Sequence, residues 1–241
     1  MSKLSDGIRK LHHSFCSCVV VAAGSSSRMG EDKLSMPLLD RSVLAETLCT
    51  LNGSDTVDEI IVVTKQEKLE QIYALREKYA LTKLTKAVLG GDTRTESALR
   101  GVTEVSAEAK IIAIHDAARP LVTEEIIADA VHQAVIYLAA APAIPVKDTL
   151  KSAADGTVTG TPDRASLFAV QTPQAFHADI IKAALTKAVQ SGGQYTDDCA
   201  AAEAIGVKPH LSLGSDENIK ITTPVDLDIA RAILRRRREG Q

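Results

Sequence analysis

Tryptophan is absent from the 241 residues, and aromatic side chains make up only 3% of them. Few platforms remain on which a base or sugar ring could stack, so ligand recognition falls to backbone groups and charged side chains. An excess of positive charge is lacking too: 28 Lys+Arg against 31 Asp+Glu give a formal net charge of -3. No global field gathers a nucleic-acid backbone, so nucleic acid is not an expected partner and any polyanion has to be met by a local cluster. Cysteine is sparse. Cys16, Cys18, Cys49 and Cys199 form none of the CxxC pairs of a zinc site and read as reduced, mostly packed thiols of a cytosolic protein. Long hydrophobic runs are missing as well. No stretch reaches the ~18 apolar residues of a membrane span, so no membrane is expected. The apolar run 15–23 follows Lys3, Arg9 and Lys10 as a signal sequence would, but it is short, holds the β-branched Val19, Val20 and Val21, and ends in a glycine-serine turn. It reads as a buried strand.

What is present is 45% hydrophobic residues in a regular rhythm. Residues 17–22, 59–63, 84–89 and 111–115 read as strands buried on both faces. Residues 43–51, 67–79 and 95–105 between and after them carry apolar positions at helical spacing, such as Leu44, Leu48 and Leu51. Residues 123–138, 177–190, 197–205 and 224–236 continue as helices, with Pro224 suited to a first turn. Strict alternation implies right-handed crossovers: an α/β, Rossmann-like, mostly parallel sheet flanked by helices, whose ligands sit beyond the carboxyl ends of the strands. No repeat or linker divides 1–241, which reads as one domain. One segment breaks the rhythm. Asp155-Gly156 favours a type I′ turn between residues 143–151 and the alternating Thr157, Val158 and Thr159. A lone hairpin is marginal in water, so about 143–165 is expected to project as an arm and pack on a second subunit.

The most informative turn follows the first strand. Small residues from Ala22 to Ser27, then Arg28 and Lys33, suit a backbone cradle for a phosphate chain; the competing reading is an ordinary strand-to-helix turn with solvated charges. Neither GxxxxGK[ST] nor GxGxxG is present, and no acidic residue ends the second strand, which argues against a nicotinamide dehydrogenase. The fourth strand runs into His115-Asp116-Ala117-Ala118-Arg119, setting a carboxylate and a guanidinium at the end of the sheet. That pair suits a Mg²⁺ or a sugar hydroxyl at Asp116 and an anion at Arg119, or else a local ion pair. Gly90 to Ser97 is a further small-residue turn or a simple helix cap. Hydrolytic machinery is missing: there is no HExxH and no GxSxG. His115 reads as a structural group that fixes the following turn, and Arg235 to Arg238 as a solvated helix terminus.

Taken in order, these motifs resemble one family across nearly the whole chain, from about Cys18 to Ala232. They are Ala22-Ala23-Gly24 through Arg28-Met29, Gly90-Gly91-Asp92 with Arg94 and Ser97, and His115 to Pro120. Pro145 to Thr149, Asp163-Arg164, Gln171 to Gln174, Thr196-Asp197 and Asn218 to Thr222 complete the set. The family is the 2-C-methyl-D-erythritol 4-phosphate cytidylyltransferases of non-mevalonate isoprenoid biosynthesis. The resemblance implies transfer of a cytidylyl group from CTP to the phosphate of methylerythritol phosphate, with Mg²⁺ and release of pyrophosphate. It further implies that Arg28 and Lys33 grip the triphosphate, while Arg164 and Lys220 position the acceptor phosphate. Asp116, Arg119, Thr149 and Thr172 would meet acceptor hydroxyls, or the ribose in the case of Asp116. Cytosine would be read by backbone around Ala22, Ala23, Gly24 and Gly91, with Asp92 and Ser97. The arm would be exchanged in a homodimer, bringing Thr149 and Arg164 into the partner's site.

The chemistry explains why no catalytic base stands out. A phosphate monoester has a second pKa near ~6 and is already largely dianionic at neutral pH, so no side chain has to remove a proton. What remains is repulsion between two anions, relieved by positioned cations. The chain departs from the family's pattern at Val21, where a proline is common, at Ser26, where the loop has a second glycine, and in the short spacing from Arg28 to Lys33. A sister family acting on ribitol 5-phosphate is the nearest rival. It carries serine and valine where this chain has Ala117 and Ala118. A nucleotide-binding module without catalysis is the rival of another kind.

Overall fold

The structure, a computed structural model, describes residues 14–24, 32–193 and 195–240. The central sheet has the order β10-β5-β9-β4-β1-β2-β3. Its strands are β1 (Cys16–Val21), β2 (Glu59–Thr64), β3 (Leu84–Leu89), β4 (Ile111–Asp116), β5 (Ala139–Pro145), β9 (Gln174–His177) and β10 (His210–Leu213). Pairs β1–β2, β1–β4, β2–β3 and β5–β10 are parallel, whereas β9 runs antiparallel between β4 and β5. A short β8 (Phe168–Val170) pairs antiparallel with the end of β5. The expected mostly parallel α/β sheet is present.

Helices α1 (Val43–Gly53), α2 (Leu69–Lys78), α3 (Arg94–Thr103), α4 (Glu124–Tyr137), α5 (Ala178–Gln190), α6 (Asp198–Glu203) and α7 (Pro224–Glu239) surround it. Strand alternation sorts the core into two layers. Cys16, Cys18 and Val20 of β1 pack with Leu44 and Leu48 of α1 and Ile127 of α4, while Val19 packs with Ala98 and Val102 of α3 and Ile181 of α5. Helix α3 lies so close to the sheet that a Cβ on Gly101 would stand 2.4 Å from Val19 Cγ1 and 2.6 Å from Val63 Cγ2. Glycine is there for that approach.

Two expectations need adjusting, at β3 and at the end of α7. β3 is an edge strand and is buried at Leu84 but exposed at Thr85, Lys86 and Leu89, because among the described residues no strand pairs with its outer edge. Residues 139–142 belong to the buried sheet, so the segment leaving it starts late in β5. The basic run at the end of α7 is not merely solvated: Arg236 and Arg237 both pair with Glu217, and Arg237 donates to the Leu121 carbonyl at 3.1 Å. The hairpin forms a separate ribbon of β6 (Ser152–Ala154) and β7 (Thr157–Gly160), exposed along most of its length. Asp155 at φ 48° and Gly156 at φ 77° give its turn the two positive φ values of type I′.

Candidate active site

The strand order sets the place. From β1 the chain adds β2 and β3 on one side, then crosses to put β4 on the other, which opens a crevice between the carboxyl ends of β1 and β4. Val21 and Asp116 are register partners at that edge, and the Ala117 N–H donates to the Val21 carbonyl at 3.2 Å.

Two adjoining clefts open there. The larger, about 590 Å³, lies between the turn after β1 and the start of α3, lined by Ala23, Gly24, Gly91, Asp92, Arg94 and Ser97 among others. Thr93 caps α3, its hydroxyl accepting from Glu96 N–H at 3.1 Å, and the Glu96 carboxylate reaches back to Asp92 N–H at 2.8 Å. Ser97 Oγ takes the Gly91 N–H at 3.0 Å, and the Ala22 N–H is spent on the Val63 carbonyl at 2.7 Å. Three N–H groups of the expected base-reading segments, those of Ala22, Gly91 and Asp92, are therefore occupied within the chain. The smaller cleft, about 180 Å³, is lined by Ala22, Gly24, Lys33, Asp116, Ala117, Ala118 and Lys220 among others. The structure thus brings Lys33, Asp116 and Lys220 together beside the small-residue turn. Arg28 lies outside the described residues.

Asp116 is the electrostatic centre of the smaller cleft. Lys220 Nζ stands 2.9 Å and Arg119 Nε 3.7 Å from its Oδ2. Burial pushes its carboxyl up, but the charge and hydrogen bond of Lys220, with the charges of Arg94 and Arg119, outweigh that and hold it below the ordinary carboxylate value. Arg119 also donates to the Asn218 carbonyl at 2.6 Å, which fastens the Lys220 loop to the β4 turn. That loop is held again where Asn218 Nδ2 donates to Gln171 Oε1 at 3.2 Å and to the Thr172 carbonyl at 3.1 Å.

Thr172 and His115 work from behind. Thr172 Oγ1 accepts the Asp116 N–H at 3.1 Å and donates to His115 Nδ1 at 3.1 Å. Nε2 of the same ring lies 3.2 Å from the Arg119 carbonyl, which can only accept, so in the neutral imidazole the proton sits on Nε2. Burial drives the His115 pKa down to about 4, against the smaller upward pull of Asp116 and of the bond to Arg119. Thr172 is buried. On the arm, Arg164 donates to the Lys147 carbonyl at 2.7 Å, and Arg164 and Thr149 are both exposed. Neither lines the two clefts within one chain.

For Mg²⁺ the donor set is small. Among the described residues no cluster of three or more His, Cys, Asp or Glu side chains gathers, and the carboxylates lining the two clefts are Asp92 and Asp116. That fits a cation held through one carboxylate and substrate phosphates, the usual manner of Mg²⁺. It does not fit an all-protein cage.

Residues 16–236 match the family model described as 2-C-methyl-D-erythritol 4-phosphate cytidylyltransferase. A relative of that name from Caldanaerobacter subterraneus subsp. tengcongensis is 42% identical over 224 residues, covering 91% of this chain and 99% of the relative. One from Thermosynechococcus vestitus is 38% identical over 226 residues, covering 92% and 97%. The crystal structure of a 4-diphosphocytidyl-2C-methyl-D-erythritol synthase from Anaerococcus prevotii superposes with a TM-score of 0.82 at 31% identity, covering 92% of this chain and 99% of that one. With the crevice, its cations and the ordered motifs all inside the matched span, the chain belongs to the 2-C-methyl-D-erythritol 4-phosphate cytidylyltransferase family.

Proposed function

We propose that the two clefts are halves of one bisubstrate site, the larger for the cytidine nucleotide and the smaller for the acceptor. The enzyme transfers the cytidylyl group of CTP to 2-C-methyl-D-erythritol 4-phosphate, a step of isoprenoid biosynthesis. An acceptor phosphate oxygen attacks the α-phosphorus, the bond from that phosphorus to the bridging oxygen breaks, and pyrophosphate leaves with the electron pair. No side chain takes a proton, because the attacking phosphate is already a dianion above its second pKa near ~6. Cations carry the catalysis. Lys220, 2.9 Å from Asp116, and Lys33 across the same cleft face the phosphates, and the family resemblance adds Arg28 to them. Asp116 would help to hold Mg²⁺ against the triphosphate, where the ion would neutralise further phosphate charge.

Asp116, kept ionised, accepts from a hydroxyl of the ribose or the acceptor, and Thr172 and His115 hold it in place. The base is assigned to the larger cleft, beside Ala23, Gly24, Asp92 and Ser97, where the N–H groups of Ala22, Gly91 and Asp92 and the carbonyls of Gly90 and Gly91 are held within the chain and fix the shape of the turn. Arg164 and Thr149 reach a site only if the arm crosses to a second subunit, and their exposed positions away from both clefts support an exchanged-arm homodimer.

The observation that carries this reading is the Asp116–Lys220 pair at the seam of β1 and β4, beside the small-residue turn. A pyrophosphate-release assay crossing CTP, UTP, ATP and GTP with methylerythritol phosphate and ribitol phosphate tests it. Release is expected with CTP and methylerythritol phosphate. Release with ribitol phosphate alone would overturn the acceptor assignment, and no release with any pair would favour a binding module.

A further inference from the structure

Three described residues line both clefts: Val21, Gly24 and Arg94. If the clefts hold the nucleotide and the acceptor, as proposed above, the two substrates meet at a single atom, the α-phosphorus, and the shared wall is where that atom must lie. Of the three residues, Arg94 alone carries charge.

Its guanidinium is held in one orientation. Nη1 and Nη2 donate to the two carboxylate oxygens of Asp198 at 2.9 Å and 2.7 Å, and Asp198 is fully buried in the first turn of α6. The start of α6 is itself anchored to β9. Gln174 Oε1 accepts the N–H groups of Asp198 and Cys199 at 3.0 Å each, and Gln174 Nε2 donates to Asp197 Oδ2 at 2.9 Å. A chain of polar contacts thus runs from β9 through α6 to the first residue of α3. Stability gives little reason for it, since a buried ion pair is often replaceable by apolar residues at no loss. A guanidinium has five N–H donors and Asp198 engages two, while 29% of the Arg94 side chain stays accessible from the clefts.

We infer that Arg94 binds the nucleotide where its ribose joins the α-phosphate, and that Asp198 is a positioning residue acting through Arg94. The pair gives the reacting centre a cation that cannot swing away. A planar guanidinium engaged at two nitrogens is fixed in orientation as well as in place, which the single ammonium of Lys220, held at one contact with Asp116, is not.

Titration of cytidine, CMP and CTP into the full-length protein separates the possibilities, using wild type, Arg94→Gln and the double variant Arg94→Gln/Asp198→Asn. The double variant replaces the ion pair by a neutral hydrogen-bonded pair of similar volume and so leaves no buried charge unpaired. CMP and CTP affinities are expected to fall about tenfold to a hundredfold in both variants, with cytidine affinity unchanged. Asp198→Asn alone should lower kcat more than it raises KM for CTP. Equal losses for cytidine and CMP would place Arg94 with the base turn and overturn the inference, as would unchanged CMP affinity in a variant that melts like wild type. A wild-type protein that binds CTP but releases no pyrophosphate would overturn the proposed function instead, leaving the cytidine–CMP comparison to judge Arg94.

Discussion

The ammonium of Lys220 stands 2.9 Å from the carboxylate of Asp116, with 43% of the lysine side chain exposed and 13% of the aspartate's. A largely buried acid at the end of β4 thereby holds a solvent-facing cation over the smaller cleft. The loop bearing Lys220 is braced from both sides. Asn218 ties it to Gln171 and Thr172, and the Asp226 carboxylate accepts the N–H groups of Thr222 and Thr223 at 2.8 Å and 2.7 Å just before α7. Such bracing makes the position of the charge, and not only its sign, a property of the fold.

Subunit mixing tests the exchanged arm. If each site takes Lys220 from one chain and Arg164 from the other, a mixed dimer of Lys220→Ala and Arg164→Ala chains has one doubly damaged site and one intact site. Unfolding and refolding an equal mixture should therefore restore activity to about a quarter of wild type, although each variant alone is nearly inactive. Activity of the mixture no greater than the mean of the two variants would place both residues in the same subunit's site.

Acid should weaken the fold before it protonates the carboxylates. The folded His115 titrates at about 4 against an ordinary value of 6.5, so below 6.5 the unfolded chain takes up a proton that the folded chain refuses. The His115 contribution is complete above 6.5 and is lost progressively as pH falls from there toward about 4. Urea midpoints measured between pH 7 and 5 should decline, and a neutral replacement, His115→Asn or His115→Gln, should reduce that slope. An unchanged slope in a folded variant would show that other groups govern it.

Gly101 should not tolerate a methyl group. Alanine gains about 1 kcal/mol in helix propensity, but overpacking against a well-filled core costs about 1–3 kcal/mol. With Val19 and Val63 at 2.4 Å and 2.6 Å from the new carbon, the upper end of that cost applies. Gly101→Ala should lower the melting temperature by roughly 3–8 °C. Because α3 also carries Arg94 and Ser97, turnover should fall with it.

Long apolar stretches announced most of this architecture from the residue order alone. β1, β2 and β4 are six-residue runs that are almost wholly buried, and α1 and α5 carry clear apolar faces, so periodicity found them. β9 and β10 escaped because each has only four residues, too few for a period, and β9 follows directly on Pro173. In the site, Asp116 and the glycine turns stood out because each ends a strand. Lys220 had no local signal and entered only through the resemblance of residues 218–222, and the Arg94–Asp198 pair joins residues 104 apart in the chain. Thr172 was expected beside the substrate, whereas its hydroxyl is engaged by Asp116 and His115, a contact created by the antiparallel return of β9 against β4.

The account stands or falls on fixed positive charge. The most direct measurement is the rate of pyrophosphate release at saturating CTP and methylerythritol phosphate in Lys220→Ala and, separately, in Arg28→Ala. Loss of a transition-state contact worth ~3–4 kcal/mol lowers kcat roughly a hundredfold to a thousandfold, and that fall is predicted for each variant. Turnover within about twofold of wild type in a folded variant would contradict it, since a factor of two is only ~0.4 kcal/mol.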